Sequence, residues 1–323
     1  MINEFPKVTI MIPTYNQADY IAQTIESALA QDYPNLEVVV SDDRSTDTTE
    51  EVVKQYLNDS RVKYFKNSTN LGRVKNYRKT LYDYATGKYA LNLDGDDWLI
   101  HNSYISKAVE ILENNDDVVM VFARQKIYVE NEKRFLESQS QEPHIPNIME
   151  GNYLFLNTNK IYISHLSSLY NRNRAMDVGF YENDYISADL ESITRIILGK
   201  KVAFVDELVG VWRMHSANES IQDDPVKLIK NLGAIDSCYD YALSKKVLDK
   251  RNLAQWKYET LYKMCFIFLY RQLKTGNIKI ALNFVKLLGK YKPKIALALL
   301  FDLRPIITKL THKFGGRFQK LHG

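Results

Sequence analysis

Two cysteines in 323 residues, Cys238 and Cys265, lie far apart and form no C-x-x-C pair. That usage excludes a cysteine zinc site and points to a reducing compartment. No apolar run approaches the roughly 20 residues of a membrane-spanning helix. The nearest, Ile295 to Phe301, stops at Asp302. The opening residues, MINEFPK, lack a basic segment followed by a long apolar one, so no secretory leader is expected. Neither G-x-G-x-x-G nor G-x-x-x-x-G-K-[ST] occurs anywhere. The first absence removes the dinucleotide fingerprint, and the second the phosphate-cradling loop that a nucleotidyltransferase would want near its N-terminus. No internal repeat or low-complexity tract stands out.

What is present is a chain with 45% apolar residues, long enough for one large domain and an extension. Its organising stretch is YALNLDGDDW, 89 to 98, a buried strand ending at Asp94, after which Asp94, Asp96 and Asp97 crowd a turn around Gly95. Three carboxylates so close repel one another unless a cation with hard oxygen ligands joins them. The plainer reading is a polar turn leading into a helix over 101 to 114. Upstream, strands are predicted at 7 to 13, 36 to 43, 61 to 67 and 88 to 93, separated by helices at 18 to 30, 47 to 58 and 73 to 85. The strand at 36 to 43, LEVVVSDD, is largely β-branched, as parallel strands buried on both faces are. This alternation predicts an α/β fold with a parallel sheet and right-handed crossovers. Pro13-Thr14-Tyr15-Asn16, Asp42-Asp43 and the 94 to 97 acids then converge on one sheet edge. Such an edge suits a nucleoside diphosphate with a bound metal.

Seven segments, PTYN at 13, SDDRSTDTT at 41, NLGRVKN at 70, LDGDDW at 93, G-F-x-E at 179, ADLESITRI at 188 and WRMH at 212, resemble in order and spacing the family 2 glycosyltransferases. The resemblance covers roughly residues 5 to 220. It implies a GT-A fold with a mostly parallel, helix-flanked sheet, a UDP-sugar donor, a divalent cation (Mg²⁺ or Mn²⁺) and inversion at the anomeric carbon. Carried over residue by residue, Tyr15 would stack on uracil, with Pro13 or Thr14 giving a backbone contact. Asp43, or else Asp42, would accept the uracil N3 proton. Lys75, rather than Arg73, would face the diphosphate. Asp94 would touch the ribose, Asp96 would ligate the metal, and His215 would close over the diphosphate or metal. The catalytic base falls on Asp189. The family's acidic pair reads Ala188-Asp189 here, which leaves Glu191 as the fallback. Trp98 and Trp212 stay open between packing and an acceptor platform. A nucleotide-sugar-binding protein without transferase activity is the alternative, favoured only by Ala188.

From about Pro225 the pattern changes to long helices, 226 to 245, 250 to 274 and 277 to 291, which divides the chain into a catalytic domain, 1 to 222, and a helical region, 223 to 323. In the third helix Lys279, Asn283, Lys286 and Lys290 form a narrow polar stripe against a wide apolar arc. Shorter helices are expected after Pro293 and after Pro305, the latter mixing Ile306, Ile307, Leu310 and Phe314 with Lys309, Lys313 and Arg317. From residue 277 onward ten basic residues oppose Asp302 alone, a net of +9, in a chain whose total is +4; the remainder is therefore −5. The expected partners are a glycan or lipid-linked saccharide acceptor and the anionic inner face of a membrane, where the protein would sit peripherally on the cytoplasmic side. The competing use of these helices is packing on the protein or on a second copy in a homo-oligomer. No nucleic acid is expected.

Overall fold

A computed structural model describes residues 5–137, 145–219 and 223–302. The first half alternates β1 (Val8–Thr14), α1 (Ile21–Leu29), β2 (Leu36–Asp42), α2 (Thr49–Lys54), β3 (Val62–Lys66), α3 (Arg73–Lys79) and β4 (Tyr89–Asn92). It continues through β5 (Trp98–Leu99), α4 (Tyr104–Asn114), β6 (Val118–Val129), β7 (Arg134–Glu137), β8 (Ile148–Glu150) and α5 (Gly151–Leu156). After β9 (Ser168–Asn171), α6 (Arg172–Asp177), α7 (Ala188–Ile197) and β10 (Lys201–Met214) come α8 (Pro225–Lys245), α9 (Lys250–Lys274), α10 (Ile278–Tyr291) and α11 (Pro293–Asp302). The helix expected after Pro305 lies outside the described residues. Among those described, no helix is long and apolar enough to cross a membrane.

One sheet runs β3-β2-β1-β4-β9-β6-β10-β5, with β7 on β6 and β8 on β10. Its first four strands are parallel, which is why β1 and β2 are buried along their whole length. Beyond β4 the pairing turns mixed: β9 is antiparallel to both β4 and β6, whereas β10 runs parallel to β6. Two apolar layers cover the faces. Ile21, Ile25, Tyr104 and Ile105 of α1 and α4 pack with Val38 and Val40 on one side. On the other, α3, α5 and α7 share a core with α8 to α11, where the Phe155 and Trp256 rings meet at 4.5 Å. The helical region thus packs on α5 and α7, the helices that cover this face of the sheet. Asp224 and Asp249 cap α8 and α9 by accepting two backbone N–H bonds each.

A buried carboxylate ties the start of this sheet together. Glu37 of β2 accepts from Thr9 Oγ1 at 2.7 Å, Thr86 N at 3.0 Å and Lys63 Nζ at 2.5 Å. Burial pushes its pKa up, but the Lys63, Thr9 and Thr86 bonds outweigh burial and hold it below the ordinary 4.5. Glu37→Ala should cost about 3 kcal/mol in urea unfolding, since it leaves buried donors unpaired. A depressed carboxyl stabilises the fold fully above its unfolded value and less as pH falls through its folded value. The gap between wild type and variant should therefore shrink as pH drops below 4.5; a gap constant with pH would assign the loss to packing instead.

Candidate active site

The carboxyl ends of β1, β2 and β4 open into a cleft of about 580 Å³. β1 supplies Pro13, Thr14 and Tyr15 to its wall. Tyr15, 47% exposed, stands at the lip, and Asn16 then turns the chain in a left-handed conformation that asparagine tolerates. At the end of β4, a side chain on Gly95 would run into Gln17 and come within 2.8 Å of Thr14 Oγ1, so the acidic turn closes on β1 only with glycine there.

The three acids of this turn are not equivalent. Asp94 lies at 3.3 Å from His165 Nε2 and accepts from Asn92 Nδ2 at 3.0 Å. Burial raises its pKa, yet His165, Tyr77 and Arg73 together hold it below the ordinary carboxylate value. Burial likewise lowers His165, and Asp94 more than reverses this, so the imidazole keeps its proton to higher pH than a free one. Asp97 is buried beside Asp96 and Asp94, and burial plus those two charges push its carboxyl well above the usual range. It accepts the Arg213 backbone N–H at 2.8 Å, while Arg213 Nε donates to the Asp96 carbonyl at 2.9 Å. Asp96 faces the cleft, its Oδ2 at 2.8 Å from His215 Nε2.

Asp96 and His215 are the candidate metal ligands. Among the described residues no group of three or more His, Cys, Asp or Glu is arranged to hold an ion. Hard divalent cations need no such cage: Mg²⁺ in particular is held by one or two carboxylates together with substrate phosphates and water. The donor set therefore fits a cation shared between protein and diphosphate.

The other expected site residues divide. Asp43 lines the cleft and anchors the 70–72 loop, accepting from Leu71 N and Gly72 N at 2.8 Å each. Gly72 donates this bond from a backbone with φ +87, a conformation that favours glycine. Asp42 is fully buried away from the cleft, accepting from the Tyr64 hydroxyl and Ser45 N at 2.7 Å each. Lys75 is exposed and off the cleft wall, whereas Arg73 is in it. Two residues of helix separate side chains by about 200°, so α3 can present only one of them. Arg73 is fixed by Glu219 at 3.2 Å and by the carbonyls of Tyr185 and Ile186 at 3.1 and 2.9 Å.

Asp189 occupies the first turn of α7, half-buried, and its charge reaches Arg73, His165 and Tyr162 from beyond the cleft wall. Glu191 is turned into the protein, fully buried, and is held by Arg195 at 2.7 Å, Asn183 at 2.7 Å and the Ser237 hydroxyl. Trp212 lines the cleft. Trp98 instead packs under Arg213 at 4.6 Å and against Tyr128. Among the residues of this constellation not singled out in the sequence are His165, Tyr77, which bears on Asp94, and Tyr20, a neighbour of Arg213 whose ring lies 5.2 Å from that of His215.

Residues 9–176 match the family described as glycosyl transferase family 2. An uncharacterized glycosyltransferase of Haemophilus influenzae is 36% identical over 138 residues, 42% of this chain and 41% of that protein. Poly(ribitol-phosphate) beta-N-acetylglucosaminyltransferase TarS of Staphylococcus aureus is 34% identical over 117 residues, 36% of this chain and 20% of that one. UDP-Glc:alpha-D-GlcNAc-diphosphoundecaprenol beta-1,3-glucosyltransferase WfaP of Escherichia coli is 34% identical over 125 residues, 39% and 47% respectively. The matched region thus spans less than half the length of each of these relatives. The structure of S. aureus TarS 1–349 in complex with UDP-GlcNAc superposes with a TM-score of 0.70 at 20% identity, covering 93% of this chain and 85% of that one. The mannosyltransferase PcManGT from Pyrobaculum calidifontis, in complex with GDP-Man and Mn²⁺, gives 0.58 at 20% identity, covering 92% and 86%. These likenesses establish the GT-A fold. Since the family match runs over more than half of the residues, the chain belongs to glycosyl transferase family 2.

Proposed function

We propose that the protein transfers a sugar, with inversion, from a UDP-sugar to a hydroxyl of a glycan or lipid-linked acceptor. The observation that carries this reading is one cleft lined by Tyr15, Asp43, Arg73, Asp94, Asp96 and His215, with the Asp189 charge reaching in. The TarS complex with UDP-GlcNAc and the diphosphoundecaprenol acceptor in the name of WfaP support the donor and acceptor classes. The PcManGT complex with Mn²⁺ supports the cation.

In this mechanism Tyr15 stacks on the uracil, and Asp43 accepts its imide proton while keeping the 70–72 loop in place. Asp94, oriented by His165, receives the ribose hydroxyls. Arg73 takes the diphosphate role that the sequence comparison put on Lys75, because it is the one of the two in the cleft wall. A divalent cation held by Asp96 and His215, Mg²⁺ or Mn²⁺, would neutralise charge building on the departing diphosphate. Asp189 removes the acceptor hydroxyl proton as the anomeric centre becomes electron-poor, the general-base role that carboxylates take in sugar chemistry. The basic segment from residue 277 would hold the cleft near an anionic inner membrane face, where a lipid-linked acceptor is presented.

The test is UDP release from a panel of UDP-sugars, with and without divalent cation and acceptor. Metal-dependent release from at least one sugar is expected, and tight UDP binding without any release would identify a binding protein instead. Tyr15→Ala should weaken UDP by about 1–3 kcal/mol in calorimetry, the range for one lost base stack. Unchanged affinity would move the base platform elsewhere.

A further inference from the structure

Most of the apolar arc of α10 is already occupied. Its Ala281, Phe284 and Leu288 are buried, and the Phe284 ring lies 4.8 Å from that of Phe268 on α9. Lys279, Lys286 and Lys290 remain in solvent. Besides Leu282 of α10, which is 66% exposed, exposed apolar surface lies on α9 and α11. Tyr258, Tyr262, Phe266 and Tyr270 recur every fourth residue of α9, their rings nearly parallel at successive centroid spacings of 6.2, 6.0 and 6.0 Å. Four residues of helix rise about 6 Å, so the rings make one continuous row about 18 Å long. Tyr258 and Tyr270, at its ends, are 45% and 43% exposed, while Tyr262 and Phe266 between them are half-buried against the core.

α11 adds to the same surface. Leu297 and Phe301, one turn apart, are 68% and 75% exposed. The Tyr262 hydroxyl donates to Asp302 Oδ2 at 2.6 Å, which fixes the tip of α11, next to Phe301, against the middle of the row. Lys274, exposed, continues the row one step beyond Tyr270. A contiguous apolar surface rimmed by charge marks a contact site.

We infer that the aromatic row of α9 and the tip of α11 form the face by which the protein lies in the headgroup layer of an anionic bilayer. This rests on the peripheral membrane placement proposed above and replaces the apolar arc of α10 with α9 and α11 as the inserting surface. Tyrosine suits that layer, since its ring enters the acyl boundary while its hydroxyl stays among headgroups. Charge selects lipid over a second copy of the chain: the segment from residue 277, net +9, begins about two turns past the row and contains the whole of α11. Two such segments brought together in a homodimer would repel, whereas anionic headgroups attract them. Each lysine close to such a surface strengthens binding by roughly fivefold.

The experiment is co-sedimentation of the full chain with phosphatidylglycerol-containing vesicles and with pure phosphatidylcholine vesicles, alongside light scattering without lipid. Wild type should pellet with the anionic vesicles, remain monomeric without lipid, and be released by salt only in part, because the apolar share resists screening. Tyr258→Ser/Tyr270→Ser and Leu297→Ser/Phe301→Ser change exposed side chains outside the cleft. Each pair should reduce partitioning by about tenfold or more while UDP-sugar hydrolysis and thermal midpoint stay unchanged. If wild type pellets and both pairs pellet equally well, the aromatic face is overturned while the peripheral placement stands. If wild type ignores anionic vesicles, both fall. A lipid-free dimer that these pairs dissolve would overturn the bilayer in favour of a second copy.

Discussion

Asp96→Ala is expected to abolish both sugar transfer and UDP-sugar hydrolysis, and excess chelator to do the same to the unmodified protein. Of the three acids in the turn, Asp97 is buried with its carboxyl held well above the usual range, and Asp94 is engaged by His165. Asp96 alone pairs with a second metal-competent side chain on the cleft wall, His215 at 2.8 Å. Removing one ligand of the proposed cation should lower turnover by at least about 10³-fold, equivalent to about 4 kcal/mol. The same variant should lose Mn²⁺ binding measured calorimetrically in the presence of UDP, a readout independent of turnover. Its fold should survive, because relief of the repulsion that raises Asp97 offsets the lost His215 contact. Full activity in excess chelator would remove the cation from the reaction.

The parallel half of the sheet was legible because its strands are nearly continuous apolar runs and each ends on polar punctuation. β1, β2, β3 and β4 fall within one or two residues of their expected limits, and α9 coincides with the predicted 250 to 274. The mixed half was not legible in the same way. β6 begins as a buried run, turns half-exposed over Lys126 to Tyr128 and buries Val129 again, so it follows no single period along its length. His165 gave no signal: it sits in a short irregular stretch, and its partner Asp94 is remote in sequence and adjacent only through the β4–β9 pairing. Local chemistry could narrow the site to pairs of residues, and packing chose between them. Arg73 and Lys75 share a helix start, and only the rotation of α3 against the sheet decides which enters the cleft. The amphipathic character of α10 was equally plain in its spacing, yet what its apolar face meets is a tertiary fact, settled by α9.

The same limit applies to Asp189 and Glu191, both acids in the first turn of α7 and both favoured there by the helix dipole. Glu191 has no exposure, and Arg195, one turn further along, claims one of its oxygens. A carboxylate committed to a buried ion pair is poorly placed to take a proton from a bound acceptor. Asp189 is half-buried, and its charge is felt by Arg73 and His165 on the donor side. Asp189→Asn keeps shape and removes the proposed proton acceptor, so turnover should fall by roughly 10²-fold or more with KM little changed. UDP affinity and thermal midpoint should match the wild type, because no hydrogen bond of the core is lost. Glu191→Gln should show the opposite pattern. Replacing a charged partner of buried Arg195 should lower stability by about 3 kcal/mol, with the activity of the remaining folded protein largely retained. Measuring single-turnover rates and urea midpoints on both variants separates the two roles. A stable Glu191→Gln protein without turnover, beside a nearly active Asp189→Asn, would transfer the base to Glu191 and require the α7 start to rearrange when acceptor binds.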